Sequence, residues 1–285
     1  MDIDDRFASK AVQVEETSEP FRRALLEHLS ADEPLNLLVY GPAFSTMDLK
    51  MPATVLALTN RRWLVISEEE DGSAAVDECD FGDTLLLELT SILLAWQLKI
   101  DFIKGGAARF CTIQFHGAMG AVENLYCPAI ELMLNGINET PGGTPMQQGN
   151  AATVFDGWPA DFRNAALHYL PKDRHMVSAV HWPAAASGFK RELAPAGALL
   201  LTACELVLIA ERPLPWMRLR EQQKLGTIIT YFPLVRLEQF NVRHHERFSI
   251  LELEMHASHG AEKLEIVFSS EHEQSIFRLM EQAGA

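Results

Sequence analysis

Residues 52–69, PATVLALTNRRWLVISEE, and residues 195–212, PAGALLLTACELVLIAER, decide how this chain is read. Each is an apolar run, a threonine-led turn and a second apolar run, the pattern of two antiparallel strands joined tightly. Laid over each other, Thr59 falls on Thr202, Pro52 on Pro195, Leu58 on Leu201, Leu64 on Val207 and Ile66 on Ile209, an offset of 143 positions. Upstream, Pro42 and Pro183 each follow an apolar strand at an offset two residues shorter. Self-similarity at one spacing points to an internal duplication.

Working outward, short apolar runs between Gly, Pro and acidic turns continue on both sides. The first half offers LNLLVY, ATVLALT, RWLVIS, AAVDECDF, TLLLELT, QLKIDFI and ARFCTIQF. The second offers MVSAVHW, ALLLT, ELVLIAE, TIITYF, LVRLEQFNV, SILELEMH and KLEIVF. Each series ends in an amphipathic stretch. In the first, Val122 to Leu134 predicts a helix closing at Asn135-Gly136; in the second, Ser270 is placed as cap to a stripe of Ile276, Phe277, Leu279 and Met280.

The expected organisation is therefore an extension with a short helix (1–30), a first β-rich domain (31–138), a linker with a helical segment (139–176) and a second β-rich domain (177–285). The extension helix rests on Phe21, Leu25, Leu26 and Leu29 behind a Ser18 cap. The linker helix rests on Phe162, Ala166 and Leu170, ended by Pro171.

About seven antiparallel strands followed by one helix is how a barrel of two packed sheets, plugged by a C-terminal helix, looks in sequence. The segment VLALTNRRWLVIS also resembles the LTN(K/R)R strand-turn-strand motif of bacterial pleckstrin-homology-like domains. The expected fold class is mainly β, with two tandem barrels of that kind. The second copy replaces Asn60-Arg61-Arg62 by Ala203-Cys204-Glu205, so no role of those arginines is shared. The resemblance implies a binding or scaffolding role and carries no catalytic residues.

Charge narrows the partners. With 24 Lys+Arg against 39 Asp+Glu the net charge is −15, a field that repels nucleic-acid backbones and anionic membranes. Residues 31–138 hold 6 basic and 15 acidic residues, and residues 177–285 hold 11 and 13, so any anion is expected at the second half. The candidate ligand-binding residues there are Lys190, Arg191, Arg218, Arg220 and Lys224, unless Glu192, Glu211 and Glu221 pair with them on a solvated edge. Trp216 in ERPLPWMRLR, with Arg61 and Arg62 at the first turn, is the candidate partner contact. Trp158 and Trp182 near the linker carry the same choice between partner contact and burial.

The remaining chemistry is sparse. Cys79, Cys111, Cys127 and Cys204 form no CxxC pair and are expected as buried thiols in a reducing compartment. The His175/His181, His244-His245 and His256/His259 pairs are placed on turns and predict no metal site. Gly105-Gly106 and Gly142-Gly143 lack phosphate-loop spacing, and no G-x-S-x-G occurs. The resulting expectation is a cytoplasmic, non-catalytic protein without cofactor, engaging a protein or peptide. Small-anion or lipid-head-group binding through the second domain's basic loops is the alternative, and self-association through sheet edges is open.

Overall fold

The computed structural model describes residues 9–30, 32–45, 50–92, 95–117, 120–138, 155–171, 174–186, 192–212 and 226–284. The first half runs β1 (Lys10–Ala11), α1 (Glu19–His28), β2 (Leu35–Gly41), β3 (Phe44–Ser45), β4 (Lys50–Met51), β5 (Thr54–Thr59), β6 (Arg62–Glu68), β7 (Ala74–Asp80), β8 (Thr84–Ile92), β9 (Ala95–Lys104), β10 (Ala107–His116) and α2 (Cys127–Asn138). The second runs α3 (Ala160–Tyr169), β11 (Met176–Trp182), β12 (Ala185–Ala186), β13 (Glu192–Ala194), β14 (Gly197–Thr202), β15 (Glu205–Arg212), β16 (Gly226–Pro233), β17 (Leu237–His244), β18 (Phe248–Ala257), β19 (Gly260–Ser269) and α4 (Glu273–Ala283). From α1 onward the first series recurs element for element from α3 onward. The recurrence includes the 3₁₀ turns Phe81–Asp83 and Leu234–Arg236 that lead into β8 and β17.

The two opening helices were missed as part of this recurrence. Phe21, Arg22, Ala24, Leu26 and Leu29 match Phe162, Arg163, Ala165, Leu167 and Leu170, all 141 positions apart, the same offset as Pro42 and Pro183. The extension helix and the linker helix thus hold one position relative to the strands that follow them. Their role explains why β5 and β14 are apolar on both faces, since each lies in mid-sheet and is covered twice. Val55 and Ala57 pack against Phe21, Ala24 and Leu25 of α1, while Leu56 and Leu58 face the other core. In the second half Ala198 and Leu200 share a core with Phe162 and Ala166 of α3, while Leu199 and Leu201 face α4.

The strands form antiparallel sheets. One runs β1-β2-β5-β6-β7, a seven-stranded one runs β10-β9-β8-β16-β15-β14-β11, and a three-stranded one runs β17-β18-β19. The small hairpins β3-β4 and β12-β13 complete the set. Among the described residues the fold is mainly β, with several antiparallel sheets, and no sheet closes on itself into a barrel.

The unexpected feature is the join. β8 pairs with β16, setting Leu87 against Tyr231, Leu89 against Ile229 and Ser91 against Thr227, so three strands of the first half and four of the second make one sheet. Leu85, Leu86, Leu87 and Leu89 are all buried, as a strand paired on both sides requires. A single apolar core runs from Val39 and Trp63 through α2 to Ile229 and Tyr231.

Polar contacts at the 3₁₀ turn Phe81–Asp83 hold this join. The buried Arg236, in the matching turn of the second half, donates from Nη2 to the Phe81 carbonyl at 2.8 Å and from Nε to the Thr84 carbonyl at 3.1 Å. Ser258 donates to the Gly82 carbonyl, and His259 Nδ1 lies 2.8 Å from Asp83.

Local expectations needed three corrections. The helix predicted to stop at Gly136 runs to Asn138, because that glycine gives the Phe81 ring room to pack, at a place where a Cβ would sit 2.3 Å from it. The last helix starts at Glu273, after a 3₁₀ turn over Ser270–His272, so Ser270 is not its cap. Cys79 and Cys111 are buried, with burial pushing the Cys79 thiol up to about 12, but Cys127 and Cys204 are half-buried.

Arg236→Ala strips partners from two buried carbonyls and is expected to lower the unfolding free energy by about 2–4 kcal/mol. Urea denaturation checks this; a loss under about 0.5 kcal/mol would remove Arg236 from the account of the join.

Candidate functional site

The threonine shared by the two signature segments does the same work in both. Thr59 Oγ1 accepts the backbone N–H of Arg61 at 3.2 Å and of Arg62 at 3.1 Å, and its hydroxyl reaches Glu33 at 2.6 Å. Thr202 Oγ1 accepts the N–H of Cys204 at 3.2 Å and of Glu205 at 2.8 Å, and reaches the Glu205 carboxylate at 2.7 Å. A side-chain acceptor closes each strand turn without a glycine.

The residue that follows each turn has opposite charge. Arg62 forks onto Glu33, donates to Glu78 at 3.0 Å, and donates to the His28 carbonyl at the end of α1 at 2.6 Å. Its counterpart, the buried Glu205, accepts from Asn138 at 2.8 Å and forms an ion pair with Arg174 at 3.2 Å. Glu33 and Arg174 stand at equivalent places, two residues before β2 and β11, again 141 positions apart. The ion pair is kept and its polarity reversed. The Arg62 hydrogen bond holds the Glu33 carboxyl below its ordinary range, whereas burial raises that of Glu205 against Thr202, Arg174 and Asn138.

Arg62 is committed to a structural network, while the Arg61 side chain is exposed. Lys190, Arg191, Trp216, Arg218, Arg220 and Lys224 lie outside the described residues. Trp182 is buried edge-on against Phe268 and donates to the Pro195 carbonyl; Trp158 is half-buried against Phe155 and His181. The histidines are not all on turns, since His181 lies in β11 and His256 in β18. Among the described residues one trio could converge on a metal, Glu238, Glu254 and His256. Within it His256 meets Glu238, and Glu254 takes Gln239 and Lys263, so protein donors already serve these carboxylates.

The two halves differ at one sheet edge. In the first, the outer edge of β8 is filled by β16, and α2 lies over the added strand, with Cys127, Ile130 and Glu131 beside Tyr231. In the second, the strand equivalent to β8 is β17 and the helix equivalent to α2 is α4. Ile130, Met133 and Leu134 correspond to Ile276, Leu279 and Met280, 146 positions on. Among the described residues β17 has β18 on one side and ends its sheet on the other.

Along that open edge the inward residues Phe240 and Val242 are half-buried. Phe240 meets Phe277 of α4 edge-on at 5.6 Å, and Phe277 remains 45% exposed. His244 and Ser249 hold Glu273 at the start of α4, each at 2.8 Å, which fixes the helix against the strand. The outward face is polar, with Asn241 and Arg243 bonded to Glu252 across the ladder. Among the described residues, the outer edge of β17 takes no further strand and lies beside an apolar wall.

The sequence reading placed Phe277 in an apolar stripe with Ile276, Leu279 and Met280; those three are buried, and Phe277 lies at the exposed margin of the stripe. In comparisons with known proteins, no family model and no curated protein matches the chain.

The ion pairs generate a prediction with a sign for each half. Because the folded-state pKa of Glu33 is lowered, its stabilisation is full above the ordinary 4.5 and is lost as pH falls through the folded value. For Glu205 the folded value is raised, so stability declines as pH rises from 4.5 to that value. Unfolding measured across the acid range should show less acid loss in Glu33→Gln and no such decline in Glu205→Gln. Identical profiles for both variants would contradict the assignment.

Proposed function

We propose that the chain is a non-catalytic binding or scaffolding protein built of two pleckstrin-homology-like units, whose second unit takes a β-strand from a protein or peptide partner along β17, beside α4. One observation carries this reading: the equivalent edge of the first unit, β8, already holds a strand inside the chain, and its second-unit counterpart is left open next to an exposed aromatic ring. Strand addition draws affinity from backbone hydrogen bonds and selectivity from alternate side chains, which suits an edge whose inward positions, Phe240 and Val242, are apolar. The recurring order of elements, each half ending in a helix over its last three strands, supports the pleckstrin-homology-like description.

The internal strand β16 supplies the pattern expected of a partner at the edge. β16 presents Ile229 and Tyr231, two residues apart, on the face under α2 and α3. A partner strand is therefore expected to carry β-branched or aromatic residues at alternate positions.

Panning a displayed library of random peptides against the full chain tests this. The enriched peptides should show that alternation, slow hydrogen exchange in β17, and lose binding in Phe277→Glu. Of Asn241→Pro and Val242→Pro, the one that removes an outward N–H should abolish binding while leaving the β18 ladder intact. Peptides that bind Phe277→Glu as well as the parent would refute the reading.

A further inference from the structure

The chain uses a β8-type edge and a β16-type edge once, on each other, and carries a second pair at its two ends. The counterpart of β16 is β7, which among the described residues is also the last strand of its sheet. The counterpart of β8 is β17. We propose that β7 and α1 of one molecule dock on β17 and α4 of a second copy, repeating between chains the join that each makes within itself. This rests on the reading of β17 as a strand-accepting edge and names its occupant.

The internal register can be transferred. Asp80 faces Arg62 across β6-β7 as Pro233 faces Glu205 across β15-β16, which aligns β7 with β16. Gly105-Gly106 and Ser258-His259, at the tips of the β9-β10 and β18-β19 hairpins, align β8 to β10 with β17 to β19 at the same 153-position offset. The β8-β16 pairs then include Val76 against Val242, Asp77 against Asn241, Ala75 against Arg243 and, from Leu87 against Tyr231, Glu78 against Phe240. Valine meets valine, a small residue faces the long arginine, and the exposed Asp77 lies diagonal to that arginine, a combination suited to antiparallel neighbours.

The helices give a second, independent argument. In the internal join α3 lies beside α2, and Leu167 lines the cleft with Cys127, Ile130 and Glu131. Leu167 is 66% exposed, and its counterpart on α1, Leu26, is 67% exposed. The counterparts of Ile130 and Glu131 on α4 are Ile276 and Phe277. Transfer of the join therefore brings Leu26 of one molecule to Phe277 of the next, two of the large apolar side chains that the monomer leaves in water.

Most charge on the accepting surface is met within it, Arg243 by Glu252 and Glu265 and His244 by Glu273, while the exposed Asp77 of the offered surface and Arg278 of the accepting one are of opposite sign. Glu78, in the middle of β7, is already neutralised by Arg62 and His28. Because the two surfaces differ, the contact is head-to-tail and adds copies until a ring closes or a filament grows.

Two substitutions at exposed positions separate the surfaces without touching a core. In analytical ultracentrifugation the parent chain should gain mass with concentration, passing beyond the dimer. Leu26→Glu and Phe277→Glu should each stay monomeric, and their equimolar mixture should give one-to-one dimers and nothing larger, with slowed hydrogen exchange in both β7 and β17. A parent chain monomeric at every concentration, or a mixture that stays monomeric, overturns the proposal. The peptides selected on the parent distinguish this from failure of the broader reading: if Leu26→Glu still binds them at β17, only self-assembly has failed, and if they do not bind at β17 in either chain, the strand-accepting edge has failed too.

Discussion

The ladder between β8 and β16 is the constraint on which the rest of the structure depends. It joins strands from the two halves into one sheet and lets α2, which closes the first half, serve as cover for the second as well. An open apolar edge on β8 would be a liability in water, and the pairing removes two such edges at once. The polar contacts around the Phe81–Asp83 turn then fix the angle between the halves, because Arg236, Ser258 and His259 all approach it from the second half. The two expected domains share a strand ladder and one of the chain's apolar cores.

The two similar units in one chain are nevertheless not interchangeable. At the signature turn the threonine oxygen accepts the same two backbone N–H groups in both units, but its hydroxyl donates to Glu33, ahead of β2, in one and to Glu205, after the turn, in the other. The ion pairs are Glu33 with Arg62 and Arg174 with Glu205. What the turn requires is a charge pair beside the hydroxyl, whichever way it points. The exchange also changes what each unit touches. Arg62 secures the end of its own α1, whereas the buried Glu205 takes Asn138 from the helix of the other unit, and so ties the second unit's turn to the first.

The local pattern was readable and the pairing was not. Each apolar run quoted from the two halves contains a strand, although LVRLEQFNV opens with the 3₁₀ turn Leu234–Arg236, because alternation and turn residues are local properties. The match between Phe21-Arg22 and Phe162-Arg163 was equally present in the chain, but shorter than the strand signal and hidden by an offset that changes from 141 to 143 between helix and turn. The partner of β8 lies more than a hundred residues away and is selected by burial on both faces, which no window of sequence displays. Arg62 was singled out for its charge; only the placement of Glu33 and His28 around it reveals a structural role. The open edge at β17 is visible only after it is known that β8 is filled.

The account stands on the two halves sharing one sheet, and residue-resolved hydrogen exchange tests that most directly. If β8 and β16 pair as described, the amides of Leu87, Leu89, Ile229 and Tyr231 on the shared ladder exchange only through global unfolding, as slowly as those of mid-sheet β5 and β14. Amides of β8 and β16 that exchange at the rate of an open edge, while β5 and β14 remain protected, would show that the halves are separate and would contradict the account.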